Sequence, residues 1–143
     1  MSEERPWGSY HVIYESGLTK VKKIHVKPGE VLSYQSHKHR CEDWVVIQGS
    51  GFVVLDDKVM SVKPGKHFRI PPMTKHRIGS DNDDHGIIFI EVQTGTYFGE
   101  DDIVRYQDDW DRGIHDHLDD WVDRKEKSNI TKTDWWNKMS KNG

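Results

Sequence analysis

The sequence predicts an all-β domain, an antiparallel sandwich or barrel, over residues 1–108 of a 143-residue chain. Three observations carry that prediction. The apolar, β-branched runs are of strand length rather than helix length. Glycine and proline interrupt them at close intervals, and no stretch before Asp108 keeps a helical period.

Taken in order, Lys20-Val21-Lys22-Lys23-Ile24-His25-Val26 alternates imperfectly and stops at Pro28-Gly29. Glu42 to Ile47 is bounded by Gly49-Ser50-Gly51. Phe52 to Leu55 meets Asp56-Asp57, a hairpin turn, and Val59 to Val62 returns until Pro64-Gly65. His67 to Ile70 runs into Pro71-Pro72, and Ile87 to Val92 ends before Gly95. The prolines fall at run ends, where a missing N–H does least harm to a sheet. No internal repeat occurs at a solenoid period.

Residues 109–143 have a different character, with seven acidic and seven basic side chains from Asp111 onward. Leu118, Trp121 and Val122 at i, i+3 and i+4 predict a short amphipathic helix. Thr131 and Thr133 are candidate caps ahead of Trp135 and Trp136. Four of the six tryptophans lie in this tail. Large rings bring much buried area, so packing over the barrel or a partner subunit is expected. Base stacking is the sharper alternative, and the tail lacks the net positive charge it needs.

Composition narrows the function classes. A hydrophobic fraction of 34% beside 31% charge supports one modest core. No apolar run approaches the ~20 residues of a spanning helix, so no membrane partner is expected. The N-terminus lacks the order of a secretory signal, and the one cysteine, Cys41, excludes an internal disulfide framework. Both features fit a reducing compartment and a cytoplasmic location. A net charge of −3 and a pI of about 6.3 give no electrostatic case for nucleic acid. Lys20, Lys22 and Lys23 read as a solvated strand face.

The stretch that carries chemistry runs from Gly29 to Gly49. Gln35 and His37 are two apart, so on a strand they share a face. Glu42 follows across a short turn, and a further imidazole, His76, arrives from a distant strand after Pro71-Pro72. Two imidazoles, a carboxylate and an amide oxygen form a mixed N/O set. It suits a divalent ion such as Zn²⁺, Mn²⁺, Co²⁺ or Fe²⁺ rather than a thiolate metal, with room left for water or substrate.

This frame resembles the first cupin motif: Gly, five residues, His-x-His, three or four residues, Glu, six residues, Gly. Here Gln35 stands in the first histidine place. Beyond the frame, the chain resembles the isomerase domain of type II phosphomannose isomerases over roughly residues 5–112. The matching text is Arg5-Pro-Trp-Gly-Ser-Tyr10, Val21-Lys-Lys-Ile24, Lys27-Pro-Gly29 and Leu32-Ser33-x-Gln35-x-His37-x-His39-Arg40-x-Glu42-x-Trp44-Val45-Val46. It continues in Ile70-Pro71, His76-Arg77-Ile78 and Ile90-Glu91-Val92-Gln93-x-Gly95-x-Tyr97-x-Gly99-Glu100-Asp101-Asp102-Ile103-Val104-Arg105. Glutamine in the first ligand place is itself a family feature. The chain departs from the family at Met73, near which a small residue is usual, and at Trp110-Asp111-Arg112, where the family ends Tyr-Gly-Arg. The guanylyltransferase portion that usually precedes this domain is not in the sequence.

The resemblance implies a cupin-type double-stranded β-helix, or jelly-roll barrel, with a short C-terminal helical or irregular tail. It implies a stand-alone isomerase that interconverts mannose 6-phosphate and fructose 6-phosphate through an enediol. Gln35, His37, Glu42 and His76 would hold the ion, with Zn²⁺ first in expectation. Arg40 is marked as catalytic, an electrostatic clamp on enediolate or phosphate, unless it is bound in a salt bridge to Glu42 or Asp43. His39 faces the same cavity as a proton shuttle if the strand persists, or solvent if the chain turns. Lys22, Arg77 and Arg105 are candidate phosphate cations, with Ser33 and Tyr97 as neutral donors. Glu91 and Gln93 share one face, which the pattern does not assign to the lumen, and Trp44 either walls the cavity or fills the core. A homodimer through edge strands is the expected assembly. Other cupin enzymes acting on a sugar phosphate or nucleotide sugar, and non-enzymatic sugar- or metal-binding modules, remain the competing readings.

Overall fold

A computed structural model describes residues 2–81 and 85–107, and the regular structure among them is entirely β. The strands are β1 (Ser2–Arg5), β2 (Gly8–Ser16), β3 (Thr19–Val26), β4 (Tyr34–Ser36), β5 (Arg40–Gln48) and β6 (Gly51–Leu55). They continue as β7 (Lys58–Val62), β8 (His67–Ile70), β9 (His76–Ser80), β10 (Ile87–Gly95) and β11 (Val104–Gln107). A six-stranded sheet runs β1-β2-β3-β10-β5-β8 and a five-stranded sheet β11-β4-β9-β6-β7. All the pairings are antiparallel, and from β3 onward most connections cross between the sheets. This is the jelly-roll barrel the resemblance implies. Among the described residues no helix is long and apolar enough to cross a membrane. The expected tail helix lies outside the described residues.

Strand parity decides what fills the barrel. On β10 the inward residues are Ile87, Phe89, Glu91 and Gln93, all buried. Their neighbours across the ladders change character at the same level. Ile87 lies opposite Val26, and Phe89 lies between Ile24 and Val46. Glu91 lies between Lys22 and Trp44, and Gln93 opposite Glu42. One end of the barrel is therefore apolar and the other polar, with the Trp44 indole between them. Trp44 stacks on Phe89 at 4.8 Å between ring centroids. Val26, Val53, Ile78, Ile87 and Phe89 are fully buried in this core, each contributing about 1.5–3 kcal/mol of transfer free energy.

Two turns that punctuate the sequence take the conformations their residues allow. Asp56 (φ 45) and Asp57 (φ 70) both occupy the left-handed region, as a two-residue hairpin between twisted strands requires. Gly49, with φ +95, closes β5 where a Cβ would lie 2.1 Å from the Gly86 carbonyl oxygen. The strands that sequence patterning leaves unmarked are β1, β2 and β11, while β4 and β9 are marked only through Gln35 and His76. β4 has three residues and β9 is buried along its whole length, so neither forms a recognisable apolar alternation in the sequence.

Gly17 (φ +52) has open space where its Cβ would be, whereas Gly49 has a backbone oxygen there. Gly17→Ala is expected to cost about 1 kcal/mol of backbone strain. Gly49→Ala should cost about 1–3 kcal/mol or more. Urea unfolding midpoints measure the difference, and equal losses would show that contact with the Gly86 carbonyl is immaterial.

Candidate functional site

The polar end of the barrel is a cavity reached by β3, β4, β5, β9, β10 and β11. Gln35 on β4 stands directly opposite His76 on β9 and next to Arg105 on β11. His37 follows β4, and Glu42 projects from β5. Donor atoms of His37, Glu42 and His76 all lie within 4.8 Å of one another, and all three residues are buried. The Gln35 amide nitrogen donates to the Ser33 carbonyl at 3.3 Å and the Ser33 hydroxyl at 3.2 Å, which assigns its other end as the oxygen.

The tautomers follow from fixed partners. His76 Nδ1 is 2.9 Å from the Thr74 carbonyl oxygen, which can only accept, so Nδ1 carries the proton and Nε2 keeps a lone pair. That nitrogen is 3.8 Å from Glu42 Oε1. A backbone carbonyl on the far ring nitrogen is the usual orienting contact of a metal-binding histidine. Burial, with Arg40 adding to it, lowers His37 to a pKa of about 2. Burial also lowers His76 to about 4, against the opposing Thr74 bond. Both rings are neutral at neutral pH, the form in which imidazole binds metal. Two neutral imidazoles, a carboxyl group and an amide oxygen fit a divalent ion.

Arg40 lies across two of these donors. Its Nε donates to Glu42 Oε2 at 2.8 Å and its Nη2 lies 2.9 Å from His37 Nε2. Of the two sequence alternatives for Arg40, the salt bridge to Glu42 is formed. Asp43 instead meets Arg69 and His67 on the outer face. A cation held by His37 and Glu42 would compete with the guanidinium for these two residues.

A second carboxyl group completes the site. Trp44 Nε1 is shared between Glu42 Oε1 at 3.0 Å and Glu91 Oε2 at 3.1 Å, and Gln93 Nε2 donates to Glu91 Oε1 at 2.6 Å. Burial, and then Glu42 beside it, raises Glu91 to about 8, which favours one proton shared by this carboxyl pair at neutral pH. Trp44 is thus both cavity wall and core. The sequence signal for Glu91 and Gln93 was their shared parity with Ile87 and Phe89.

Of the expected substrate contacts, Ser33, Lys22, Arg77 and Arg105 line this cavity. Arg77 is 1% exposed and its Nε donates to the Leu32 carbonyl at 2.8 Å. Lys22 corrects the solvated-face reading: it shares parity with Ile24 and Val26 and points inward. Two further expectations are corrected. His39 does not line the cavity, because the strand ends at Ser36 and Asp102 draws the turn outward. The Asp102 carboxylate accepts the backbone N–H of Lys38 at 3.0 Å and of His39 at 2.9 Å. Burial works against the charge on Asp102, but these bonds outweigh it and lower its pKa. His39 is exposed, with Nδ1 3.2 Å from Asp102. Tyr97 is also outside: its hydroxyl donates to Asp101, a bond that raises the phenol pKa, and its ring meets His39 edge-on. Met73 has φ 72, a conformation that suits the small residue usual in the family.

Comparison with known proteins agrees with this architecture. The family model described as mannose-6-phosphate isomerase, C-terminal, matches residues 2–108, and the chain belongs to that family. The alginate biosynthesis protein AlgA of Pseudomonas syringae pv. tomato is 42% identical over 76% of this chain and 22% of its own length. Xanthan biosynthesis protein XanB of Xanthomonas campestris pv. campestris is 42% identical over 76% of the chain and 23% of its own length. A mannose-1-phosphate guanylyltransferase of Sinorhizobium fredii is 35% identical over 73% and 20%. The chain therefore spans about a fifth of the length of these relatives. Among solved structures, KdgF from Halomonas sp. superposes with a TM-score of 0.62 at 16% identity, covering 71% of this chain and 89% of that one. The Schizosaccharomyces pombe Cnp3 cupin domain gives 0.57 at 11% identity, over 61% and 64%. These likenesses establish the cupin fold.

The shifted groups make opposite demands on pH. An unfolded chain protonates its histidines near 6.5, while His37 and His76 stay neutral in the fold down to about 2 and 4. Stability is therefore lost as pH falls below 6.5. Glu91 keeps its proton in the fold up to about 8, against 4.5 in an unfolded chain, so its contribution is lost as pH rises through that window. Two histidines outweigh one carboxyl on the acid side. Chelated protein should show its highest unfolding temperature near pH 6.5, falling on both sides, and Glu91→Gln should abolish the alkaline decline. A melting temperature that climbs steadily past pH 8 would contradict this balance.

Proposed function

We propose that the chain is a metal-dependent aldose–ketose isomerase that interconverts mannose 6-phosphate and fructose 6-phosphate. The observation that carries this reading is the convergence of His37, Glu42 and His76 within 4.8 Å, with Gln35 opposite His76, in a cavity also lined by Lys22, Arg77 and Arg105. Family membership supports it, and so do the relatives whose names concern alginate, xanthan and mannose 1-phosphate.

The reaction moves a proton between C1 and C2 of the sugar through an enediol, and a proton between the two oxygens. Gln35, His37, Glu42 and His76 would hold a divalent ion, Zn²⁺ by preference, and that ion would supply Lewis acidity toward the negative charge developing on oxygen. Arg40 carries a permanent positive charge, so it serves as an electrostatic clamp rather than as a base. Trp44 and Glu91 are positioning residues. They fix the Glu42 carboxyl through a shared indole N–H and seal the cavity floor against water. Lys22, Arg77 and Arg105 present cationic groups for the phosphate, and the guanidinium fork suits a bidentate contact. The cavity has a volume of about 90 Å³.

A coupled assay on mannose 6-phosphate tests the proposal, before and after chelation and with Zn²⁺, Mn²⁺ or Co²⁺ restored. His37→Ala should lose both bound metal and turnover. Arg40→Ala should retain the metal while kcat drops by about 10²–10³-fold, the cost typical of removing one preorganised electrostatic donor. Metal-replete protein that leaves both mannose 6-phosphate and fructose 6-phosphate unchanged would sink the isomerase reading.

A further inference from the structure

Lys22 poses a problem that the metal centre does not solve. Its side chain is 6% exposed, and an ammonium removed from water needs a negative partner or good acceptors. Glu91 stands across the β3–β10 ladder from it and feels its charge, but no ion pair closes between the two within 4 Å, whereas one with Glu100 does. Among the described residues Lys22 pairs with Glu100, Nζ to Oε2 at 3.6 Å, and the ammonium also lies over the Tyr10 ring, 4.2 Å from its centroid. Glu100 is 62% exposed. It projects from the loop between β10 and β11 and lines the same cavity. A buried cation is thus matched to a carboxylate that faces solvent, in a pair that water screens and weakens.

The loop that carries Glu100 is anchored without it. Asp102 clasps the backbone of Lys38 and His39, its own N–H donates to the Gly99 carbonyl at 3.1 Å, and Tyr97 holds Asp101. Glu100 can therefore swing into solvent while the loop backbone stays in place.

We propose that Glu100 is a resident counter-anion of Lys22, displaced when the anionic group of a ligand binds at the cavity mouth. The pair then sets anion affinity: Lys22 provides the contact and Glu100 opposes entry. In choosing phosphate as the anion the inference rests on the proposed function, but it requires no isomerisation. The exchange is purely ionic, the carboxylate passing to water as the phosphoryl oxygens reach Nζ.

Calorimetric titration of the full chain with inorganic phosphate, at fixed low ionic strength, tests it. Glu100→Gln should bind phosphate about two- to fivefold more tightly, the effect of removing one screened competitor. Lys22→Gln should bind it about tenfold or more weakly, through loss of a charge-assisted contact. Glu15→Gln, an equal charge change on an exposed residue outside the cavity lining, should leave affinity unchanged. The inference is overturned if Glu100→Gln gains nothing, or if Glu15→Gln gains as much. Should Lys22→Gln fail to fold, Glu100→Gln and its control still decide. The expected phosphate affinities without sugar turnover would remove the isomerase reading and leave this inference standing. Turnover with unaltered phosphate affinity in Glu100→Gln would do the reverse.

Discussion

A carboxyl group at 2% exposure sits where the polar half of this barrel begins, and the surrounding residues answer the cost of placing it there. Desolvating a carboxylate costs several kcal/mol unless its oxygens are matched. Glu42 has Arg40 on one oxygen and the Trp44 indole on the other. Removing either would leave an oxygen in low dielectric without its donor. The same two partners position the rest of the site, because Arg40 also reaches His37 and Trp44 also reaches Glu91. Stability and chemistry therefore draw on one set of contacts, and they cannot be altered independently.

The barrel accommodates this network by dividing along its axis. Inward residues at equivalent levels of β3, β5 and β10 change together from Ile24, Val46 and Phe89 to Lys22, Trp44 and Glu91. Burying an isolated polar residue in the apolar half would leave it unsatisfied. Grouping these residues lets each find its partner in the layer beside it. Trp44 suits the boundary because its ring packs on Phe89 while its N–H faces the carboxyl groups. A phenylalanine there would fill the space and leave both carboxyl groups without that donor.

This division explains what could be read from the sequence. The fold class was legible because strand-length runs and their Gly/Pro breaks depend on local geometry. The convergence of His37, Glu42 and His76 was legible through the likeness to the cupin motif and the later histidine segment rather than through parity, since His37 already lies beyond the end of β4. Parity misled where a strand stopped early. His39 keeps the two-residue step from His37, but β4 ends at Ser36 and the Asp102 carboxylate claims the N–H groups of Lys38 and His39, the latter a contact from 63 residues away. Lys22 misled for the opposite reason. Lysine is expected at the surface, yet its place in β3 beside Ile24 and Val26 already fixed its inward direction. Glu91 lay in the same position on β10. For both, the strand pattern outweighed the usual preference of the side chain.

Charge in the cavity closes the account. Arg5, Lys22, Arg40, Arg77 and Arg105 line it, against Glu42, Glu91 and Glu100. Burial and the nearness of Glu42 to Glu91 keep one proton on this carboxyl pair, and the two ligand histidines are neutral, so the lining carries surplus positive charge before any metal is counted. A divalent ion held by His37, Glu42 and His76 would add to that surplus and would compete with Arg40 for Glu42 and His37. At short range and in low dielectric, such repulsion is costly unless negative charge enters with the metal or a guanidinium moves away. A ligand bearing a phosphoryl group meets both needs. It brings the missing negative charge, and it offers Arg40 and Lys22 oxygens in place of those that the ion or the solvent takes from them. Metal and anionic ligand should accordingly favour each other's binding, because each relieves the electrostatic cost that the other creates.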